Sequence, residues 1–105
     1  MKLDEIKELV DHAPATALYF SAPSCNVCHA LKPKLFELLS SEFKQICVQE
    51  IDTSLSQEIA AHFSVFTIPT LLVFFDGKEF VREARHMSVE GVAQKIERPY
   101  EMIFG

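Results

Sequence analysis

The 105-residue sequence lacks tryptophan, has only three glycines and five prolines, and contains no long apolar run. A membrane-spanning helix needs about 20 consecutive apolar residues, so the sequence predicts no association with a membrane. The scarcity of glycine and proline excludes collagen-like and low-complexity structure. Positive charge is scarce as well, because 10 Lys and Arg stand against 15 Asp and Glu and are scattered along the chain. A nucleic-acid-binding surface needs clustered basic residues, so we expect no nucleic-acid partner.

The N-terminus is charged rather than apolar, because it contains Lys2, Asp4, Glu5 and Lys7. A secretory signal peptide needs an apolar segment there, so the sequence predicts a cytoplasmic protein. Cysteine is limited to three residues, and an odd number leaves at least one outside any internal pair. In a reducing compartment, a close cysteine pair is more often catalytic or metal-binding than a structural disulfide.

The chain nevertheless contains enough apolar residues for a folded domain. Hydrophobic residues make up 49% of the sequence, which is a globular rather than a disordered composition. No linker or internal repeat divides the chain. We therefore predict a single domain over residues 1–105, and we expect it to be a monomer.

Helical and strand patterns alternate along the chain in the order α-β-α-β-α-β-β-α. The predicted helices cover residues 3–13, 25–43, 54–63 and 88–98. The predicted strands cover residues 16–20, 45–52, 70–75 and 78–85. Pro33 lies inside the second helix and should bend it, and Pro99 should end or kink the last one. Ser54 begins a capping box for the third helix, and Ser88 can cap the fourth.

Two connections predict the topology of the sheet. A long helix joins the first two strands, which makes these strands parallel through a right-handed crossover. Asp76-Gly77 is a strong turn signal, so the last two strands should form an antiparallel hairpin. These connections predict an α/β fold with a mixed four-stranded sheet.

Cys25 and Cys28 are separated by two residues, directly after a predicted strand and turn. Two cysteines at this spacing can form a reversible disulfide, bind a metal or attach a haem. Cys25 should open a helix, where unpaired N–H groups and the positive end of the helix dipole stabilise a thiolate. This placement predicts Cys25 as the exposed nucleophile and Cys28, one turn further on, as the resolving thiol.

The two alternatives to redox chemistry stay open on spacing alone. The run from Cys25 to His29 matches the c-type haem signature, although a small cytochrome would be mostly helical. A zinc site needs about four ligands, and His29, Cys47 or His62 could join the pair. None of these three shows paired ligand spacing, and Cys47 on a predicted strand is typical of a small buried side chain.

Several further motifs surround and follow the cysteine pair in a fixed order. They are Phe20-Ser21-Ala22-Pro23-Ser24-Cys25-Asn26-Val27-Cys28, Pro33, Ile51-Asp52, Ile68-Pro69-Thr70 and Asp76-Gly77. With these motifs, and with Pro69 lying 44 positions after Cys25, the chain resembles the thioredoxin family over nearly its whole length. The resemblance implies a thioredoxin fold, in which helices flank the central mixed four-stranded sheet on both faces.

The resemblance also implies a function. A thioredoxin-like protein reduces disulfide-containing protein substrates, takes electrons from an upstream donor, and uses no cofactor beyond its own redox-active disulfide. The proline that matches Pro69 is cis in the family and faces the cysteine pair. The backbone of Ile68 would receive an extended substrate chain, and Ser24 and Thr67 would shape the substrate groove beside it.

The chain departs from the family pattern at several positions near the pair. They are Ser24 in place of Trp, Asn26-Val27 in place of Gly-Pro, Tyr19 in place of a buried Asp, Val48 in place of Lys, and Arg85 in place of Gly. The unperturbed pKa of tyrosine is about 10, so Tyr19 would be a poor base for Cys28. His29 could add positive charge when protonated. These losses motivate a second hypothesis, a thioredoxin-like binding or adaptor module with slow or no redox turnover.

Overall fold

The computed structural model describes all 105 residues as four helices and one four-stranded sheet. The helices are α1 (Leu3–His12), α2 (Asn26–Glu42), α3 (Gln57–His62) and α4 (Val89–Phe104). The strands are β1 (Ala15–Ser21), β2 (Cys47–Asp52), β3 (Thr70–Phe75) and β4 (Lys78–Glu83). The predicted order of elements is confirmed, and α2 runs without interruption through Pro33. None of the helices combines the length and the apolar character that crossing a bilayer would require.

The sheet is mixed, as predicted, with the strand order β2-β1-β3-β4. β1 is parallel to β2 and antiparallel to β3, and β3 is antiparallel to β4. Asp76 and Gly77 form the tight turn between β3 and β4, and both have positive φ angles. β1 and β3 occupy the centre and are buried over their whole lengths. This burial explains their continuous apolar sequences, because both faces of each strand are covered.

Two apolar clusters lie on opposite faces of the sheet. On one face, α2 and α4 pack against strand residues that include Tyr19 and Val73. On the other face, α1 and α3 pack against strand residues that include Leu18 and Leu72. Successive side chains of a strand point to opposite faces, which is why neighbouring residues of β1 and β3 contribute to different clusters. Helices therefore flank the sheet on both faces, as expected.

The predicted capping box at Ser54 is wrong. α3 begins three residues later, at Gln57, and no side chain caps its first turn. Ser54 instead donates to the Asp52 carboxylate, with its backbone N–H at 2.9 Å and with its hydroxyl. An aspartate that accepts hydrogen bonds from the residue two positions on stabilises a turn, and this local pairing competes with helix formation.

The predicted end of the last helix is also wrong, because α4 continues past Pro99 to Phe104. Tertiary contacts hold this final turn. The Tyr100 ring lies 5.1 Å from the Phe43 ring and 4.8 Å from the Phe104 ring, measured between centroids. Its hydroxyl also accepts a hydrogen bond from the Gln45 N–H at 3.2 Å. The C-terminal residues therefore pack on the same chain, which the sequence pattern alone left open.

We expect Tyr100→Ala to lower the free energy of unfolding by about 2 kcal/mol, because it removes a ring that packs on two other aromatic rings. Met102 lies on the same helix with 79% of its surface exposed, and it serves as the matched control. Met102→Ala should change the free energy of unfolding by less than about 0.5 kcal/mol. Urea unfolding followed by circular dichroism measures both values. Equal effects would contradict the packing of this turn on its own chain.

Candidate redox site at the start of helix α2

The cysteine pair lies where β1 leads into α2. β1 ends at Ser21, a short turn follows, and Cys25 is the N-cap of α2, whose first helical residue is Asn26. Cys25 and Cys28 form a disulfide across the first turn of the helix, with their Cα atoms 5.3 Å apart. The helix therefore presents its N-terminal end directly to the disulfide.

The two sulfur atoms have different environments. Cys28 is only 1% exposed, whereas Cys25 is partly exposed. The Cys25 sulfur accepts a hydrogen bond from the Cys28 backbone N–H at 3.2 Å. That N–H belongs to the first turn of α2, where no helical carbonyl is available to accept from it. A negative charge on the Cys25 sulfur would be stabilised by this N–H and by the positive end of the helix dipole.

The loop that precedes β3 lies at the same end of the central strands as Cys25. Thr70, the first residue of β3, pairs with Phe20 near the end of β1, so the preceding residues lie close to the turn that leads to Cys25. The Ile68–Pro69 peptide bond in this loop is cis. Thr67 is exposed and Ile68 is partly exposed, whereas Pro69 is buried. The Thr70 hydroxyl donates to the Thr67 carbonyl at 2.7 Å, which stabilises the loop.

Tyr19 lies beneath the disulfide and connects β1 to α2. Its side chain is fully buried, and its hydroxyl donates a hydrogen bond to the Cys28 carbonyl at 2.8 Å. Burial and, to a smaller extent, the charge of Glu50 raise the pKa of Tyr19 to about 12. The phenol is therefore protonated at neutral pH, where it serves as a hydrogen-bond donor.

Glu50 and Lys32 extend the polar contacts around Tyr19. The Glu50 carboxylate accepts from the Ser21 hydroxyl at 2.9 Å and forms an ion pair with the Lys32 ammonium at 2.7 Å. Partial burial raises the pKa of Glu50, but the hydrogen bonds from Lys32 and Ser21 and the charges of Lys32 and His29 outweigh it. The pKa of this carboxyl group therefore lies below its ordinary value, and Glu50 carries a negative charge at neutral pH.

Sequence reasoning missed Glu50, because it considered only Val48, which stands where the family pattern has Lys. The parallel register instead pairs Tyr19 with Glu50, and it pairs Val48 with Ala17. A strand residue is level with a specific partner only once the register is known. The charge of Glu50 inside the predicted strand was the signal available in the sequence.

The remaining predicted site residues surround the disulfide. His29 Nε2 lies 2.8 Å from the Pro23 carbonyl oxygen, so a proton on Nε2 joins the helix to the preceding turn. Ser24, Asn26 and Val27 are exposed. The structure thus brings all the residues predicted from the cysteine motif to one end of α2.

The candidate zinc ligands lie apart from one another. Cys47 is level with Thr16 at the start of β1, whereas Cys25 follows the other end of that strand. His62 is the last residue of α3, on the opposite face of the sheet from α2. No three His, Cys, Asp or Glu side chains come together in an arrangement that could hold a metal ion. Cys47 is partly buried rather than fully buried, and its thiol is free.

Comparisons with known proteins agree with this geometry. The family model described as Thioredoxin matches residues 2–98. The chain is 39% identical to the thioredoxin-like protein YdfQ of Bacillus subtilis (strain 168) over 103 residues, which cover 98% of this chain and 91% of that protein. It is 40% identical to the thioredoxin of Chlamydia trachomatis serovar D over 63 residues, which cover 60% of this chain and 61% of that protein.

Solved structures show the same fold. Thioredoxin 1 from Thermosipho africanus TCF52B superposes with a TM-score of 0.75 at 31% identity, covering 83% of this chain and 96% of that chain. Oxidised mitochondrial thioredoxin 3 from Saccharomyces cerevisiae superposes with a TM-score of 0.76 at 21% identity, covering 91% of this chain and 87% of that chain. The chain therefore belongs to the thioredoxin family, and its Cys25–Cys28 disulfide makes it a protein-disulfide oxidoreductase.

Proposed function

We propose that the protein reduces disulfides in other proteins, with Cys25 as the nucleophile and Cys28 as the resolving thiol. The observation that carries this assignment is the contrast between the two sulfurs. Cys25 is partly exposed and accepts the Cys28 N–H, whereas Cys28 is 1% exposed. An attacking thiolate must be accessible and stabilised, and a resolving thiol needs only to reach the sulfur of its partner.

The reaction proceeds through two exchanges that balance. The Cys25 thiolate attacks a substrate disulfide, and one substrate sulfur leaves as a thiolate that takes a proton from water. Cys28 then loses its proton and attacks Cys25, which releases the second substrate thiolate and forms the Cys25–Cys28 disulfide. The substrate gains two electrons and the protein loses two. An upstream dithiol donor returns the pair to the reduced state, so the cycle needs no cofactor beyond this disulfide.

The loop before β3 would hold the substrate chain. Ile68 is partly exposed at the end of the central strands where Cys25 also lies, and Thr67 beside it is exposed. A backbone segment at this position can pair with an extended substrate as an added strand. Pro69 has no backbone N–H, so strand pairing there would depend on its neighbours. Ser24, in place of the larger tryptophan of the family pattern, is exposed beside Cys25, so it would leave a substrate disulfide access to the sulfur.

Tyr19, Asn26, Val27 and His29 would tune the pair rather than react. Tyr19 is a donor to the Cys28 carbonyl and not a base, because its pKa is raised to about 12 by burial and by Glu50. His29 joins the start of α2 to Pro23. Asn26 and Val27 form the exposed first turn, so their side chains affect the contact surface and the stability of the dithiol form.

The protein would act in the cytoplasm as a monomer. The proposed reaction leaves Cys25 and Cys28 oxidised after each round, so the pair must be reduced again. The cytoplasm keeps thiols reduced, which supports it as the compartment.

Variants of the two cysteines test the proposed division of roles. In a Cys47→Ser background, Cys25→Ser should abolish the acceleration of insulin reduction by dithiothreitol, because it removes the attacking sulfur. Cys28→Ser should instead accumulate mixed disulfides between Cys25 and substrate, visible on non-reducing gels and by mass spectrometry. The Cys47→Ser protein is the control and should keep its full activity.

Two results would contradict the proposal. If the folded protein with all three cysteines does not accelerate insulin reduction, the adaptor hypothesis replaces the enzymatic one. If Cys28→Ser captures substrate no better than Cys25→Ser, the assignment of Cys25 as the nucleophile is wrong.

Tyr19→Phe should lower the free energy of unfolding of the oxidised protein by about 1 kcal/mol at pH 7, because a buried carbonyl loses its hydrogen bond. The pKa of Tyr19 is raised from about 10 in the unfolded chain to about 12 in the folded protein. The part of the free energy of unfolding that depends on the protonated Tyr19 phenol is fully present below pH 10. It is lost as the pH rises towards 12. Urea unfolding of both proteins across this window should therefore show the difference between them narrowing. A difference that stays constant would contradict the raised pKa of Tyr19.

A further inference from the structure

A cleft of about 460 Å³ opens beside the first turn of α2. Its first wall is one stripe of that helix, formed by residues at helical spacings of three and four: Val27, Ala30, Leu31 and Lys34. Its second wall is the segment 85–90 that leads from β4 into α4. Val27 directly precedes Cys28, so the cleft begins at the disulfide loop and leads away from it along the helix.

The walls offer apolar surface together with free positive charge. Val27 is 42% exposed, and Leu31, Met87 and Val89 are partly exposed. Lys34 and Arg85 contribute two cations to the cleft, and Glu90 contributes one carboxylate, so the charged groups of the lining sum to +1.

Lys34 and Arg85 differ from the cations that the chain uses for internal ion pairs. Lys32, Arg82 and Lys95 each pair with a glutamate. Lys34 and Arg85 are exposed and form neither an ion pair nor a side-chain hydrogen bond. The whole chain carries a net charge of −5, whereas in this cleft the two unpaired cations outnumber the single carboxylate of Glu90 and leave a locally positive lining. Such a site attracts carboxylates.

We propose that this cleft selects protein disulfides whose attacked cysteine lies near an acidic side chain. Lys34 is nine residues after Cys25, so a chain following the helix between them spans about 14 Å at about 1.5 Å per residue. An extended substrate covers that distance in about four residues at about 3.3 Å each. The acidic residue would therefore stand three or four positions from the cysteine, with an apolar side chain between them on the cleft floor. This inference rests on the proposed reduction of protein disulfides by Cys25.

Synthetic peptides test this selectivity without an upstream donor. Each peptide carries one cysteine in a mixed disulfide with the neutral reporter 2-thiopyridine. The third and fourth positions from the cysteine are acidic, basic or serine, on the N-terminal side in one set and on the C-terminal side in the other. The pre-reduced protein attacks the peptide sulfur and releases thiopyridine, and its absorbance gives a second-order rate constant in a single turnover.

In at least one of the two sets, the acidic peptide should react about tenfold faster than the basic peptide at low ionic strength. The preference should shrink as salt is added, because exposed charges are screened over about 10 Å at 0.1 M salt. In the double variant Lys34→Glu/Arg85→Glu, the ratio of the two rate constants should fall below one.

The control is Lys7→Glu/Lys78→Glu, which makes the same change of four charges at exposed lysines on α1 and at the start of β4. It should keep the preference for the acidic peptide. Equal rates for acidic and basic peptides in both sets, a preference for the basic peptide, or an equal loss in the two double variants would overturn the inference. If the serine peptide reacts while no acidic preference appears, only this inference fails. If the folded, reduced protein reacts with no peptide, the proposed function fails with it.

Discussion

β1 lies between β2 and β3, and all seven of its residues are buried. A strand covered on both faces and paired along both edges has one acceptable register, because a slip of one residue would move every side chain to the opposite face. This constraint determines where the site lies. The parallel register with β2 places Glu50 level with Tyr19, and the antiparallel register with β3 places the loop of Ile68 and Pro69 at the end of β1 that leads to Cys25.

The chemistry of the pair depends on donors that the fold holds in place. The Cys28 N–H points to the Cys25 sulfur because the first turn of a helix has no carbonyl for it. Tyr19 holds the Cys28 carbonyl from below and is itself fixed within the apolar cluster of α2 and α4. Glu50 keeps its charge beside this buried region because Ser21 and Lys32 bind its carboxylate. The aspartate expected from the family pattern is absent. Tyr19, a neutral hydrogen-bond donor, occupies its position, and the Glu50 carboxylate on the neighbouring strand β2 pairs with Lys32 of α2.

The exposed residues around the disulfide also differ from the family pattern. Ser24 stands where the family pattern has tryptophan and is exposed beside the partly exposed Cys25, and Arg85, in place of glycine, adds a cation across the cleft from Lys34. The core that positions the pair and the surface that meets a partner are therefore built from different residues. The buried contacts of Tyr19 keep the start of α2 in position, whereas Ser24 and Arg85 are exposed beside it.

The sequence by itself determined the fold class, the order of the elements, and the pair of cysteines at a helix start. These features depend on short-range patterns, namely the periodicity of apolar residues, the Asp76-Gly77 turn signal, and the spacing between Cys25 and Cys28. Tertiary structure decided the rest. Pro99 did not end α4 because Tyr100 packs on Phe43, which is 57 residues away.

The sequence pattern likewise did not predict the polar partners of the site or the shape of the cleft. Glu50 joins Tyr19 only through strand register, and Arg85 faces Lys34 only because the segment before α4 folds against α2. Such contacts connect residues far apart in the chain, and no local periodicity encodes the distance between them. The physical reason is that secondary structure follows from neighbouring residues, whereas the electrostatics of a site follows from which distant residues the packed core brings together.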